Sequence, residues 1–304
     1  MNASTAFVAY ASLFAVVVAP LMFGLYGLLR GSRGPAPPPR GPWDWRLSIN
    51  SAALYAFSFS LIFFIQELFL VLPKALTPGL RPTLFHNNHH WDGDNPLARL
   101  FQGTGALAIL LTAIAFSLWF KLRPPRSATL RLFVLWTAFH GYFQSLPQIV
   151  VGSVLPQNDV GMAFEYLQLS GAVKLALAVI ALPTIVYLAT RFARPLLELA
   201  SHGGDVATAA RRGGFMLRTA TLPALLALPV IILMRVPGSL DQVAIVPVAE
   251  FVIGVFWLQA CAWCIKPKRI AQAEPAQSVL GPALAVIAQL LIFQLALRPG
   301  VAFF

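Results

Sequence analysis

Three of the chain's five histidines, His86, His89 and His90, fall within five residues, and two carboxylates, Asp92 and Asp94, follow closely. Neutral imidazoles are ligands of Zn, Cu, Ni and Fe. If this segment were helical, His86 and His90 would lie one turn apart on one face, where both could reach the same ion. The spacing therefore predicts a metal site. The alternative is an interfacial polar loop whose histidines bind water and backbone carbonyls.

Further donors could complete such a site. Asp92, Asp94 or Asp159 could supply an oxygen ligand or hold a histidine in place. Asp159 lies in a second polar segment, at 156–161, and Glu165 follows it. A mixed nitrogen and oxygen shell suits a divalent transition metal, zinc first, with iron or copper as alternatives. The predicted ligands of this ion are His86, His90, Asp159 and His140. His89 and Glu165 are predicted to assist proton transfer at the ion.

His140, Gln144 and Gln148 recur every four residues inside an apolar segment. On a helix they form one polar stripe, and polar groups within a membrane face the interior of a helix bundle. Two interpretations remain open. The stripe is a fourth ligand or proton relay beneath the histidines, or it joins helices through hydrogen bonds.

Two carboxylates, Glu67 and Glu250, also lie in apolar segments. Such groups are costly in lipid and indicate functional sites. An ion pair of Glu67 with Lys174 is one arrangement that would reduce the cost. Cys261 and Cys264 are too few to close a zinc site and are interpreted as small packing residues.

The composition indicates which kind of secondary structure positions these residues. The 304 residues are 58% hydrophobic and only 11% charged, with a mean hydropathy of +0.73. Soluble domains carry about 25% charged residues. Backbone groups in lipid must be bonded internally, which favours helices. We therefore expect an all-α, polytopic membrane helix bundle, forming a single transmembrane domain over residues 1–304.

The apolar runs predict about eight spans, each near the roughly 20 residues that cross a bilayer. The first has no Lys or Arg before it, so it is interpreted as a retained helix rather than a cleaved signal peptide. The predicted spans are 6–29, 47–72, 97–120, 132–155, 167–190, 219–236, 246–265 and 278–297.

The positions of the basic residues, which give the chain its net charge of +11, indicate the topology. Most of the 22 Lys and Arg residues lie in alternate loops, at 30–46, 121–131, 191–218 and 266–277. Positive loops stay in the cytoplasm. We therefore expect a bacterial-type inner membrane protein with both termini and the histidines on the outer side. The expected partners are the lipid bilayer and another membrane protein, and nucleic acid is not one of them.

The order His86-Asn87-Asn88-His89-His90, then the small residues of 103–108, then Asn158-Asp159-Val160-Gly161 resembles the site-2 family of intramembrane metalloproteases. That family has a His-Glu-x-x-His zinc motif, a small-residue segment and a later Asp. The resemblance implies His86, His90 and Asp159 as zinc ligands. Asn87 stands where the family has its catalytic glutamate, which implies a non-proteolytic relative.

The box His86-x-x-His89-His90 is also similar to one histidine box of membrane di-iron desaturases and hydroxylases. Those enzymes need more histidines than the five of this chain. The leading hypothesis is thus a membrane-embedded, metal-dependent hydrolase. The alternative is a non-enzymatic subunit, an assembly factor or a carrier of a small solute or metal.

Overall fold

Nine main helices and three short strands form the part of the chain that the structure, a computed structural model, describes: residues 3–30, 39–267 and 278–304. The helices are α1 (Ala3–Arg30), α2 (Trp45–Ala75), α3 (Leu97–Leu122), α4 (Ala128–Val154), α5 (Asp159–Tyr166), α6 (Gly171–Leu197), α7 (Ala209–Arg235), α8 (Asp241–Cys261) and α9 (Leu280–Leu297). The strands are β1 (Arg81–Leu84), β2 (His89–Asp92) and β3 (Val301–Ala302).

Seven of these helices are long and apolar enough to cross a membrane: α1, α2, α3, α6, α7, α8 and α9. Their side chains are mostly apolar, as the apolar runs of the sequence predicted. The prediction of an all-α polytopic membrane bundle is therefore confirmed. The single domain stays a prediction.

Helix α4 contains the remaining predicted span, 132–155. Its 27 residues extend over about 40 Å, enough to cross a bilayer, but it is less apolar because it carries the polar stripe. It packs against α2, α3 and α6, and most of its stripe is buried. At Gly141 a Cβ would lie 2.7 Å from the Ala113 Cβ, so glycine permits the close approach of α3.

The histidine segment forms an antiparallel hairpin, β1–β2, rather than a helix. Leu84 pairs with His89 and Thr83 with His90, and β3 adds to the other edge of β1. Gly79 and Gly93 adopt φ values of +85° and +106°, which only glycine adopts freely. A helical face shared by His86 and His90 is therefore wrong, because His86 lies in the turn of the hairpin and His90 lies in β2.

The loops between long helices gather at two ends of the bundle. At the hairpin end, the Asn87 amide donates to the carbonyls of Arg235 and Pro237, at 2.9 and 2.8 Å. At the opposite end, the Asn50 amide donates to the Ser278 carbonyl at 3.0 Å. Arg218 at that end lies over the Trp43 ring. The predicted basic loops share this second end as far as they are described.

Parts of two basic loops, and the proline-rich connector over 34–38, lie outside the described residues. The basic side chains concerned are Arg33, Lys268 and Arg269.

Candidate functional site: a polar cavity at the hairpin end

An open cavity of about 690 Å³ lies at the hairpin end of the bundle. Its walls come from α2, the hairpin, α3, α4, α5, α7 and α8. A volume of this size accommodates a small organic molecule. Amide side chains make up much of its wall: Gln66, Gln102, Gln144, Gln148, Gln157, Gln242, Asn87, Asn88 and Asn158.

The polar stripe of α4 contributes two of these amides. Gln144 and Gln148 line the cavity, and the Gln148 amide donates to Gln66 Oε1 at 2.8 Å. Because they lie one helical turn apart, both reach the same wall. The stripe thus both joins α4 to α2 and presents hydrogen-bonding groups to the cavity.

The pair of Glu67 and His89 forms one wall. Helix α2 buries Glu67, and β2 brings the His89 ring to it, with Nδ1 2.8 Å from Glu67 Oε2. The imidazole stacks on Trp91, with ring centroids 5.8 Å apart. A neutral His89 that donates from Nδ1 carries its lone pair on Nε2. The carboxylate therefore fixes both the orientation and the tautomer of the imidazole.

Lys74, on the same helix, completes this group. Its side chain is fully buried, and Nζ lies 3.1 Å from His89 Nε2 and 3.1 Å from Gln102 Oε1. The ammonium also lies 4.4 Å from the Trp91 ring centroid, a distance at which cation–π attraction operates. Gln102 Oε1 is 3.1 Å from His89 Nε2 as well. Nε2 of a neutral His89 can thus accept from Lys74, and Nε2 of a protonated His89 can donate to Gln102.

Asp159 begins α5 and lines the same cavity. Burial, followed by the negative charge of Glu67, raises the pKa of Asp159 to about 6, although His89 and Lys74 oppose the shift. A carboxyl group with this pKa can hold or release a proton near neutral pH. The structure thus brings two predicted site residues, His89 and Asp159, to one cavity.

The other predicted site residues lie elsewhere. His86 is buried outside the cavity lining, and burial lowers its pKa. His90 is on the surface, with Nε2 3.3 Å from Asp92 Oδ1. Glu165, also outside the lining, pairs with Lys174. The predicted pairing of Lys174 with Glu67 is therefore wrong.

His140 pairs with Glu250 deep among the helices. Its Nδ1 donates to Glu250 Oε1, and both side chains are buried. The rings of Tyr55 and Phe59 stand edge-on to the imidazole, at centroid distances of 4.4 and 5.5 Å. Glu250 lines the cavity, whereas His140 lies behind it. His140 is thus separated from the other predicted ligands.

Within the described ranges, no group of three or more His, Cys, Asp or Glu side chains is arranged to hold a metal ion. The predicted donors His86, His90 and His140 face three different surroundings. Zinc, iron or copper at His86, His90, Asp159 and His140 stays a prediction. Metal content of the purified protein, measured beside a His86→Ala/His90→Ala variant, is its test.

Comparison with known proteins yields no matching family model, curated protein or solved structure. The resemblance to site-2 metalloproteases therefore stays a prediction. The fold defines the chain as an integral membrane protein. The proposal for its function rests on the cavity.

The raised pKa of Asp159 has a consequence for stability. The folded carboxyl holds its proton up to about pH 6, whereas the unfolded group releases it near 3.8, so the free energy of unfolding falls as pH rises between these values. The loss is at most about 3 kcal/mol. We expect the thermal midpoint of the wild-type protein in detergent to fall between pH 4.5 and pH 7 through this contribution, with Asp159→Asn lacking it. Asp94→Asn, at an exposed position, is the control. Equal pH profiles for wild type and Asp159→Asn would contradict the burial of this charge.

Proposed function

We propose that this integral membrane protein is an enzyme that hydrolyses a small polar molecule bound in the cavity. The observation that carries the proposal is that His89, oriented by Glu67, and the proton-holding Asp159 line one amide-rich cavity. Pairs of titratable groups with different environments are typical of acid–base catalysis. His89 is the general base, and Asp159 is the general acid.

The reaction uses these groups in turn. Lys74 Nζ first turns from His89 Nε2 to Gln102 Oε1, and Nε2 then accepts a proton from water as the water oxygen bonds to the electrophilic atom of the substrate. Asp159 gives its proton to the leaving group as the bond to that group breaks. His89 then returns its proton to Asp159, which restores both residues. Glu67 positions His89 and stabilises the imidazolium while it is charged.

The test does not require the substrate to be known. The protein in nanodiscs is incubated with a polar extract of bacterial cells in ¹⁸O-labelled water. Hydrolysis places one water oxygen in a product, which mass spectrometry detects as the heavier isotope form. We expect at least one labelled product with the wild-type protein and none with His89→Gln. The same labelled products from both proteins, or from neither, would contradict the proposal.

A second candidate is a proton-coupled carrier of a polar solute. It is favoured by the His140–Glu250 pair, which adds a protonatable group between membrane-spanning helices. A carrier would retain a polar molecule from the extract without producing any labelled product. That outcome would replace the enzyme with the carrier.

For the orientation, we propose that the cavity and both termini face the outside of a bacterial-type inner membrane. The basic loops at the opposite end support this through the positive-inside rule. In a variant lacking Cys261 and Cys264, Asp94→Cys should react with an impermeant thiol reagent in intact cells. Arg126→Cys, exposed at the basic end, should react only after lysis. The reverse pattern would contradict the orientation.

A further inference from the structure

Three residues of the cavity wall each carry a buried polar atom that has no hydrogen-bond partner among the described residues. The atoms are Arg235 Nη1, Glu250 Oε2 and Gln144 Oε1. The residues are only 3%, 3% and 8% exposed. Leaving buried polar groups unpaired costs free energy, and such groups require an explanation. The three atoms differ in kind: a cationic donor, an anionic acceptor and a neutral acceptor.

Arg235 is held in place by a hydrogen bond and by contact with an aromatic ring. Its Nε donates to the Gln242 carbonyl at 2.6 Å, and the guanidinium lies 3.9 Å from the centroid of the Phe63 ring. None of the ion pairs found among the described residues involves Arg235. An arginine fixed by packing and one hydrogen bond presents its remaining donors to a carboxylate or phosphate at little entropic cost.

Glu250 presents the opposite charge. One carboxylate oxygen accepts from His140 Nδ1, while His140 Nε2 has no partner in its aromatic surroundings. The second oxygen of the Glu250 carboxyl group, Oε2, requires a donor. Gln144 Oε1 requires one too.

We infer that the cavity binds a zwitterion, whose acidic group pairs with Arg235 and whose ammonium group pairs with Glu250 and Gln144. A ligand with both charges satisfies all three unpaired atoms at once. This inference rests on the proposed function in naming the substrate class of the same cavity. Two sources share the chemistry: a free amino acid or short peptide, and a zwitterionic lipid headgroup.

The test uses three peptides that differ in one charge each: trialanine, N-acetyl-trialanine and trialanine amide. Binding is measured calorimetrically on the protein in phosphatidylglycerol nanodiscs. We expect trialanine to bind at least tenfold more tightly than either blocked peptide. In Arg235→Gln, trialanine and its amide should bind equally, with the preference for a free amino group retained. In Glu250→Gln, which keeps an acceptor for His140, only the preference for a free amino group should disappear.

A lipid arm distinguishes the sources. If the ligand is a headgroup, trialanine does not bind, and phosphatidylethanolamine is retained over phosphatidylglycerol through purification by the wild type but not by Arg235→Gln. Absence of both effects overturns the inference, as does binding that is indifferent to both blocking groups. Labelled hydrolysis products without these preferences would leave the proposed function standing alone. These preferences without hydrolysis would leave the zwitterion site standing alone.

Discussion

Glu67→Gln should reduce hydrolytic turnover by about 10²–10⁴-fold, the range that general base catalysis contributes. Glutamine fills the same space, but it loses the charge that stabilises the His89 imidazolium across the 2.8 Å contact. The readout is the rate of ¹⁸O incorporation per protein.

The matched control is Glu165→Gln. Glu165 pairs with Lys174 outside the cavity lining, so its loss should leave the rate within about twofold of the wild type, since exposed ion pairs contribute little. The two variants therefore also decide between the assignment from sequence, which gave Glu165 a proton-transfer role, and the one from structure. A large loss in Glu165→Gln with little loss in Glu67→Gln would contradict the structural assignment.

His140→Phe should destabilise the fold by about 3–5 kcal/mol, the usual cost of leaving one member of a buried pair without its partner. Glu250 would then be a buried carboxylate that has lost its hydrogen bond from His140. The measurement is the free energy of unfolding in mixed detergent micelles, followed by the fluorescence of buried tryptophan.

The double variant His140→Phe/Glu250→Leu supplies the control. It removes both polar groups from a site already lined by Tyr55 and Phe59, so most of the lost stability should return. If the losses of stability in His140→Phe and in Glu250→Leu add up to the loss in the double variant, the two residues are not coupled. That result would contradict the role of the pair as a buried, mutually compensating unit.

The helices were predictable because lipid requires apolar runs of spanning length. The predicted span 97–120 became Leu97–Leu122, and 47–72 became Trp45–Ala75. The extension of α2 matters, because it carries Lys74, which lies beyond the predicted span 47–72. Lys74 is nevertheless fully buried, since its charge meets His89, Gln102 and Trp91. Hydropathy predicts whether a segment lies in lipid or in water. It does not predict which side chains will pair with a charged residue.

The site was predictable in part. His89 and Asp159 were singled out, and both line the cavity. The partner of His89 was not predictable, because it depends on the register of a hairpin that Gly79 and Gly93 flank with positive φ angles. Arg235, which lies inside the predicted span 219–236, was not singled out. The signal that could have found Lys74 is its spacing of seven residues from Glu67, which places both on one face of α2.

We propose that an open polar cavity brings solutes from the hairpin end to His89, and cysteine accessibility tests this most directly. Gln148→Cys, in the background without Cys261 and Cys264, places a thiol on the cavity wall. Ala138→Cys, on the same helix but buried outside the lining, is the control. A small charged methanethiosulfonate added to intact cells should modify Gln148→Cys and spare Ala138→Cys. Equal protection of both, while Asp94→Cys is modified, would contradict an open cavity and the function built on it.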